Sequence, residues 1–340
     1  MTFPYALLRV GFPYLTTLAC KRITDFPMDL AIGKDGLIYV LCTAPIRVIT
    51  FDEQVVRTFG KLAWGRDRKG VGEDEMMWPI QVVLDGEDNL YITDEACHRI
   101  TMYSKEGQFL GHWGQHGSKE GQLNRPAGIA FDAKEDVFVV DALNHRVQKF
   151  TKDGRFIMSF GSQGNRPGEF DTPWGIAEDK FGDLYVSDWR NDRVQKFTCD
   201  GRFIFEFGKS GTGDGELTRP AGIEVDDDGD IYVADWGNNR VNLYNKGGRF
   251  VQKFIGDATL SKSAIQLIKN QKRVLRLREM ANMETEKRFQ GPRSVRLDKK
   301  GRMYVADHES YRIQVYQKQA VPLTQEEIGP ELKAPSLSAN

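Results

Sequence analysis

Short runs of alternating apolar and polar residues recur through most of the chain, each closed by a turn rich in Gly and Asp. Leu123 to Gly161 contains GIAFD, DVFVVD, RVQKF and RFIMSF in that order, and Phe170 to Gly208 contains GIAED, DLYVSD, RVQKF and RFIFEF. Leu217 to Gly256 repeats the series with GIEVD, DIYVAD, RVNLY and RFVQKF. Alternation with a period of two predicts strands with an inward and an outward face. The intervening KDG, KFGD and DDDGD supply turn residues that tolerate positive φ. Asp141, Asp188 and Asp235 fall 47 residues apart, and a repeat of this length holding four short strands predicts the blades of a propeller.

Weaker copies extend the series in both directions. Blade one is expected from Asp25 to Gly60, blade two from Met76 to Gly114, and blade six from Phe289 to Tyr316. The last copy lacks a fourth strand. Because an unpaired edge leaves backbone donors and acceptors unsatisfied, the N-terminal stretch FPYALLRVGF, Phe3 to Phe12, is expected to supply that strand and close the ring. Residues 1–318 are then one all-β, six-bladed domain, and residues 319–340, ending in PLTQEEIGPELKAPSLSAN, read as a flexible tail. Two excursions break the rhythm. Lys61 to Glu75 lengthens the crossing from blade one to blade two. Asp257 to Arg288, between blades five and six, predicts a helical insert with Ala264, Ile268, Val274, Leu275 and Leu277 on one face, expected to rest over the propeller mouth.

Composition narrows the setting. The 340 residues carry a formal net charge of −1, which gives no general case for nucleic-acid binding. No run of 18 apolar residues occurs, so no membrane partner is expected. Arg9 and Pro13 interrupt the apolar start, which argues against a secretory leader. Cys20, Cys42, Cys97 and Cys199 have neither metal-ligand spacing nor the density of a disulfide scaffold, so reduced thiols and a cytoplasmic location are expected. No nucleotide- or flavin-binding glycine motif is present, and no covalent-nucleophile motif.

The recurring P-x-G-I-x-x-D, L/I-Y-V-x-D and N-x-R-V-Q-x-F elements resemble the NHL-repeat family of six-bladed β-propellers, from Phe3 to Gln317 and most closely in blades three to five. The resemblance implies that the first strand of each blade lines a central channel. It also implies that the DWRNDR and DWGNNR loops share one rim with the insert. It leaves chemistry open, since members resemble RNA- or protein-binding modules while related propellers include lyases and lactonases that use metals or polar channel residues.

Two kinds of residue then separate. Asp94, Asp141, Asp188, Asp235 and Asp307 end the second strands, and Arg99, Arg146, Arg193, Arg240 and Arg312 begin the third. A carboxylate and a guanidinium that recur together read as scaffold, pinning each loop with charge-assisted hydrogen bonds. Departures from the repeat read as function. Where blades three, four and five have Gly128, Gly175 and Gly222, blades one, two and six have Asp29, Gln81 and Ser294, beside Met28, Ile80 and Arg293. Deeper in the channel, Glu224 and Arg296 fall on adjacent blades, as an ion pair or as ligand contacts.

An enzyme reading makes Asp29 a general base or metal ligand, Arg293 or Arg296 an anion anchor, and His308 an acid/base group. Gln81, Ser294, Trp189 and Trp236 then hold a small polar substrate for hydrolysis or elimination. A divalent metal is a candidate cofactor, with His98, His145 and His308 as its ligands and His112 and His116 flanking Trp113 nearby. A binding reading instead uses Trp189, Arg190 and Trp236 on the rim to hold a protein, peptide or small ligand without catalysis. A third reading, RNA, rests on the eight basic against four acidic residues of the insert and on the rim tryptophans.

Overall fold

A computed structural model describes residues 6–19, 23–43, 45–63, 71–271, 276 and 278–323. It contains six four-stranded antiparallel sheets around a channel, with strands following one another outward from the inner edge. In blade four these are Pro173–Glu178, Leu184–Asp188, Arg193–Phe197 and Phe203–Phe207. The alternation of the sequence survives as alternating burial only in the outermost strand. Leu184–Asp188 is buried on both faces, because a neighbouring blade covers each side of it.

The recurrent Asp and Arg form a buckle inside blades three to six. Asp141, Asp188, Asp235 and Asp307 are fully buried. Each accepts a backbone N–H from 17 residues upstream, on Asn124, Asp171, Thr218 and Gln290 at 2.6–2.8 Å. Each also accepts the arginine Nε five residues downstream, at 2.7–3.0 Å. The scaffold reading therefore holds for blades three to six. Blade two keeps only half of it: Asp94 accepts the Met77 N–H, 17 residues upstream, and that of Trp78, but the Arg99 Nε is buried without a partner while Arg99 Nη2 donates to the carbonyls of Gly72 and Glu73.

A second device joins each of blades two to five to the next. His98, His145, Asp192 and Asn239 follow the buckle loop with φ of 52–55°, and each side chain accepts the N–H of the residue preceding the next blade's first proline. The partners are Arg125, Thr172, Arg219 and Gly291, at 2.7–3.1 Å. At the joint from blade six to blade one, a ring contact between Tyr311 and Phe26 at 4.4 Å stands in the same place.

Inner strands meet in two ways. Between blades three and four the backbones touch: a Cβ on Gly128 would lie 2.5 Å from the Trp174 carbonyl. A Cβ on Gly222 would likewise lie 2.7 Å from the Ser294 Cα of blade six. Between blades one and two, and two and three, side chains span the gap instead. Asp29 accepts the Val82 N–H at 2.9 Å, and Gln81 Oε1 accepts that of Ile129 at 2.9 Å. Arg296 then ties blade six to blades one and five, donating to Asp29 at 2.9 Å and to Glu224 at 3.0 Å.

The ring is closed by the N-terminal region, but by a different strand from the one the sequence suggested. Tyr14–Leu18 is the fourth strand of blade six, paired with Arg312–Gln317. Ala6–Gly11 pairs instead with Gln319–Leu323 as a separate two-stranded ribbon, so the start of the expected free tail is ordered. Pro13 divides the two N-terminal strands, and the second strand carries Tyr14 into contact with Tyr316 at 5.6 Å. The ribbon is held by Arg9 on Asp230 and by Lys318 among Asp226, Asp228 and Asp230. Phe3 to Tyr5 and residues 324–340 lie outside the described residues.

The insert forms a helix at Lys262–Lys269 and a short turn of helix at Met283–Lys287. The first helix docks on the outer hairpin of blade one, where Glu53 accepts the N–H groups of Lys262 and Ser263. Just before it, the Thr259 N–H bonds Tyr14 of the outer strand of blade six. These contacts place the helix against the outer wall rather than over the mouth, because its partners are outermost strands and not channel-lining ones. Val274, Leu275 and Leu277, expected on its apolar face, lie outside the described side chains. In the other excursion, Lys61–Leu62 pairs in parallel with Glu75–Met76.

Three outcomes are expected in thermal and urea unfolding followed by circular dichroism. Deleting residues 1–11 should lower the melting temperature by roughly 2–5 °C and preserve a single transition. Deleting residues 1–18 exposes the Arg312–Gln317 edge and should abolish cooperative unfolding or cause aggregation. Asp29→Ala leaves Arg296 with Glu224 alone and the buried Val82 N–H without its acceptor, and should cost about 3–5 kcal/mol; unchanged urea midpoints would show that the brace carries no load.

Candidate functional site

The first strands begin on the face that also carries the loops after the second strands, here called the crossing face. The hairpins joining first to second strands lie on the opposite face. At the crossing-face mouth, Met28, Asp29, Ile80, Gln81, Trp174, Arg293 and Ser294 surround a cavity with about 10 Å³ of free space, room for no more than one water. The polar arc read from the sequence is therefore real in position, but most of it is committed to the fold.

Asp29 is 1% exposed and held by Arg296 and the Val82 N–H, so it is neither a free base nor an open metal ligand. Burial opposes the charge on Arg296, but Asp29 and Glu224 outweigh it and hold its pKa above the ordinary arginine value. Arg296 is thus an internal counter-ion and not an anion anchor. Gln81 is spent on the joint to blade three. Ser294 is buried, and its Oγ has no hydrogen-bond partner. The common reason is geometric: once a blade lacks the glycine that permits backbone contact, its replacement fills the wider gap.

His98 and His145 belong to the joints of blades two and three. In both, Nδ1 accepts a backbone N–H, so the proton sits on Nε2. They serve different joints and share no site with His308. Among the described residues, no group of three or more His, Cys, Asp and Glu side chains is placed to hold a metal ion. His116 stacks on His98 at 4.3 Å. His308 Nδ1 lies 3.2 Å from the Pro27 carbonyl, which can only accept, so Nδ1 carries the proton and Nε2 the lone pair. Burial and the nearby charge of Arg293 push its pKa down to about 4, leaving the ring neutral at higher pH.

What remains uncommitted lies around three tryptophans. Trp174 meets Trp189 at 4.6 Å between ring centroids, and Trp189 meets Trp236 at 5.5 Å. All three are part-exposed, so they form a surface and not a packed core. Arg293 completes the group, its guanidinium 5.9 Å from the Trp174 ring centroid and 5.5 Å from that of Trp236. Its Nε is buried without a hydrogen bond, and among the described residues its guanidinium has no hydrogen-bond or ion-pair partner. Burial pulls its pKa down, while Glu95 and Glu309 act on it only from a distance. Trp174 also borders a depression of about 750 Å³ shared with Trp189, Arg190, Arg125, Arg219 and Asp192.

The sequence assigned Trp189, Trp236 and Arg190 to the rim and Arg293 to the polar arc of the channel; the structure sets Arg293 against Trp174 and Trp236, and Arg190 beside Trp189 in the depression. It missed Trp174, although the signal was available: Trp174 follows Pro173 where Ala127 and Ala221 follow their prolines.

Comparison with known proteins bears on the fold. No curated protein matches the sequence. The structure is similar to a catalytically inactive virginiamycin B lyase from Staphylococcus aureus solved with quinupristin, at 14% identity and a TM-score of 0.54, over 92% of this chain and 88% of that one. It is similar to a gluconolactonase from Xanthomonas campestris at 13% identity and a TM-score of 0.54, over 93% and 90%. A protein of unknown function from Bacteroides thetaiotaomicron matches at 17% identity and a TM-score of 0.59, over 92% and 73%. At such identities the likeness concerns the fold. By sequence, a family described as 6-bladed beta-propeller matches residues 176–323, and the NHL repeat matches residues 123–150. With six sheets closed into a ring, the chain is a six-bladed β-propeller that contains an NHL repeat.

Proposed function

We propose that the chain is a ligand-binding propeller whose site is the Trp174–Trp189–Trp236 surface on the crossing face, with Arg293 as anion anchor. The observation that carries this reading is the uncommitted Arg293 guanidinium. Arg293 is half-buried with its Nε cut off from water, and desolvating a charge without a partner is costly; two cation–π contacts of about 0.5–2 kcal/mol each offset only part of that cost. A ligand anion supplies the missing partner, and the tryptophans supply a flat apolar surface for the rest of it. The site thus suits an aromatic or otherwise flat carboxylate, free or displayed on a peptide. Rim charges of both signs, with Glu95, Asp171 and Asp192 beside Arg125, Arg190 and Arg219, favour such a ligand over an extended RNA.

Catalysis is the second reading, and His308 is the observation that favours it. Its fixed tautomer leaves a basic Nε2 near Arg293, and similar structures carry the names lyase and gluconolactonase. Hydrolysis or elimination on a small polar substrate would use His308 as base and Arg293 as the anchor for developing negative charge. A pKa near 4 makes His308 a weak base at neutral pH, which is why binding comes first.

The tryptophans report on the test. Titrating indole-3-carboxylate should produce a saturable change in intrinsic fluorescence. Arg293→Ala should weaken the affinity at least about tenfold, equivalent to about 1.4 kcal/mol, without lowering the melting temperature. Trp189→Ala should reduce both affinity and signal. If the carboxylate and the neutral indole bind equally, the anion anchor is lost. Turnover of gluconolactone that disappears in His308→Ala would replace the binding reading with the catalytic one.

A further inference from the structure

On the hairpin face the channel opens into a cup of about 310 Å³, lined by the last residues of the first strands. At the final position of that strand, five blades carry an apolar side chain: Ile32, Leu84, Phe131, Val225 and Leu297. Blade four carries Glu178, in the same register opposite the first residue of its second strand. This departure differs from Asp29 and Gln81 in the respect that matters. Those side chains are consumed by the joints, whereas among the described residues Glu178 has no hydrogen-bond or ion-pair partner. The nearby lysines are committed elsewhere, Lys149 to Asp132 and Asp136, and Lys196 to Asp179 and Asp183. Across the cup, Arg296 lies between Asp29 and Glu224, so one cation faces two carboxylates there.

We propose that this cup is a second binding site, which takes an ammonium-bearing ligand with an apolar body: the body against the strand ends and the ammonium on Glu178. An apolar wall with an excess of negative charge selects a cation over an anion or a neutral amphiphile of the same shape. The site lies on the face opposite the tryptophans and does not depend on the function assigned to them.

Titration behaviour agrees with the geometry. Burial, then Asp132 and Asp179, push the Glu178 carboxyl up to about 7, while Lys149 pulls it down. Glu224 and Arg296 are the charged groups facing the same cup from the other side. A bound ammonium favours the carboxylate, so affinity should be high above about pH 7 and fall as the pH drops through that value.

Hexylammonium is the probe, 1-hexanol its neutral control, and isothermal calorimetry the measurement. At about pH 8 the full chain should bind hexylammonium at least about tenfold more tightly than hexanol, and at about pH 5.5 that advantage should shrink by about tenfold. Glu178→Gln should remove the advantage at both values. Glu178→Leu, which restores the residue type of the other blades, should do the same and should raise the melting temperature, so loss of binding is not loss of fold. Equal affinity for the two probes, unchanged hexylammonium binding in Glu178→Gln, or a lower melting temperature in Glu178→Leu would each overturn the proposal.

Discussion

A ring of sheets has no single core, so its integrity depends on the joints between neighbours. Each joint here must satisfy two demands at once: backbone groups at the blade edges need partners, and the apolar faces need to stay in contact. The left-handed residue after each buckle loop meets the first demand. His98, His145, Asp192 and Asn239 differ in chemistry but all offer an acceptor at the same point, to a backbone N–H that would otherwise be unsatisfied. The side chain is interchangeable, and the acceptor is the conserved feature of the geometry from blade to blade. Two histidines that suggested metal chemistry are therefore members of a structural series that also includes an Asp and an Asn.

The inner edge shows how that constraint shapes the channel. Glycine lets the first strands of blades three to six approach backbone to backbone, while Asp29 and Gln81 bridge the wider joints on the other side. The channel is consequently not a free reservoir of polar groups. Its most conspicuous carboxylate is held by Arg296, and its amide is spent on Ile129. Among the described residues, two charged side chains without such bonds, Arg293 and Glu178, sit instead at the two mouths, where side chains no longer have to span a joint.

This explains which parts of the molecule were legible in the sequence. The repeat revealed the blades, their order and the Asp–Arg buckle, because a constraint met several times leaves the same residues several times. Closure by the N-terminus was also legible, but not the strand, since FPYALLRVGF and YLTTL are both short apolar candidates and only pairing decides between them. At the site, departure from the repeat was an ambiguous sign. Asp29 and Glu178 both break the pattern with a carboxylate, and nothing in the spacing says that one finds Arg296 across the channel while the other finds no partner among the described residues. Trp174 was hidden for the opposite reason: its importance comes from neighbours in other blades, which no local window contains.

The ribbon on the hairpin face has a mechanical consequence. Ala6 is paired with Leu323 at one end and Gly11 with Gln319 at the other, so Ala6 and Leu323 lie side by side at the outer end of the ribbon. Tension applied at those two residues would part the hydrogen bonds one after another, as a zipper opens, and not load them all together in shear. The salt links of Arg9 and Lys318 to blade five would yield before any pull reached Tyr14–Leu18, the strand that closes the ring. The ribbon would act as a sacrificial clasp, dissipating load at the chain ends while the circle of blades stays shut.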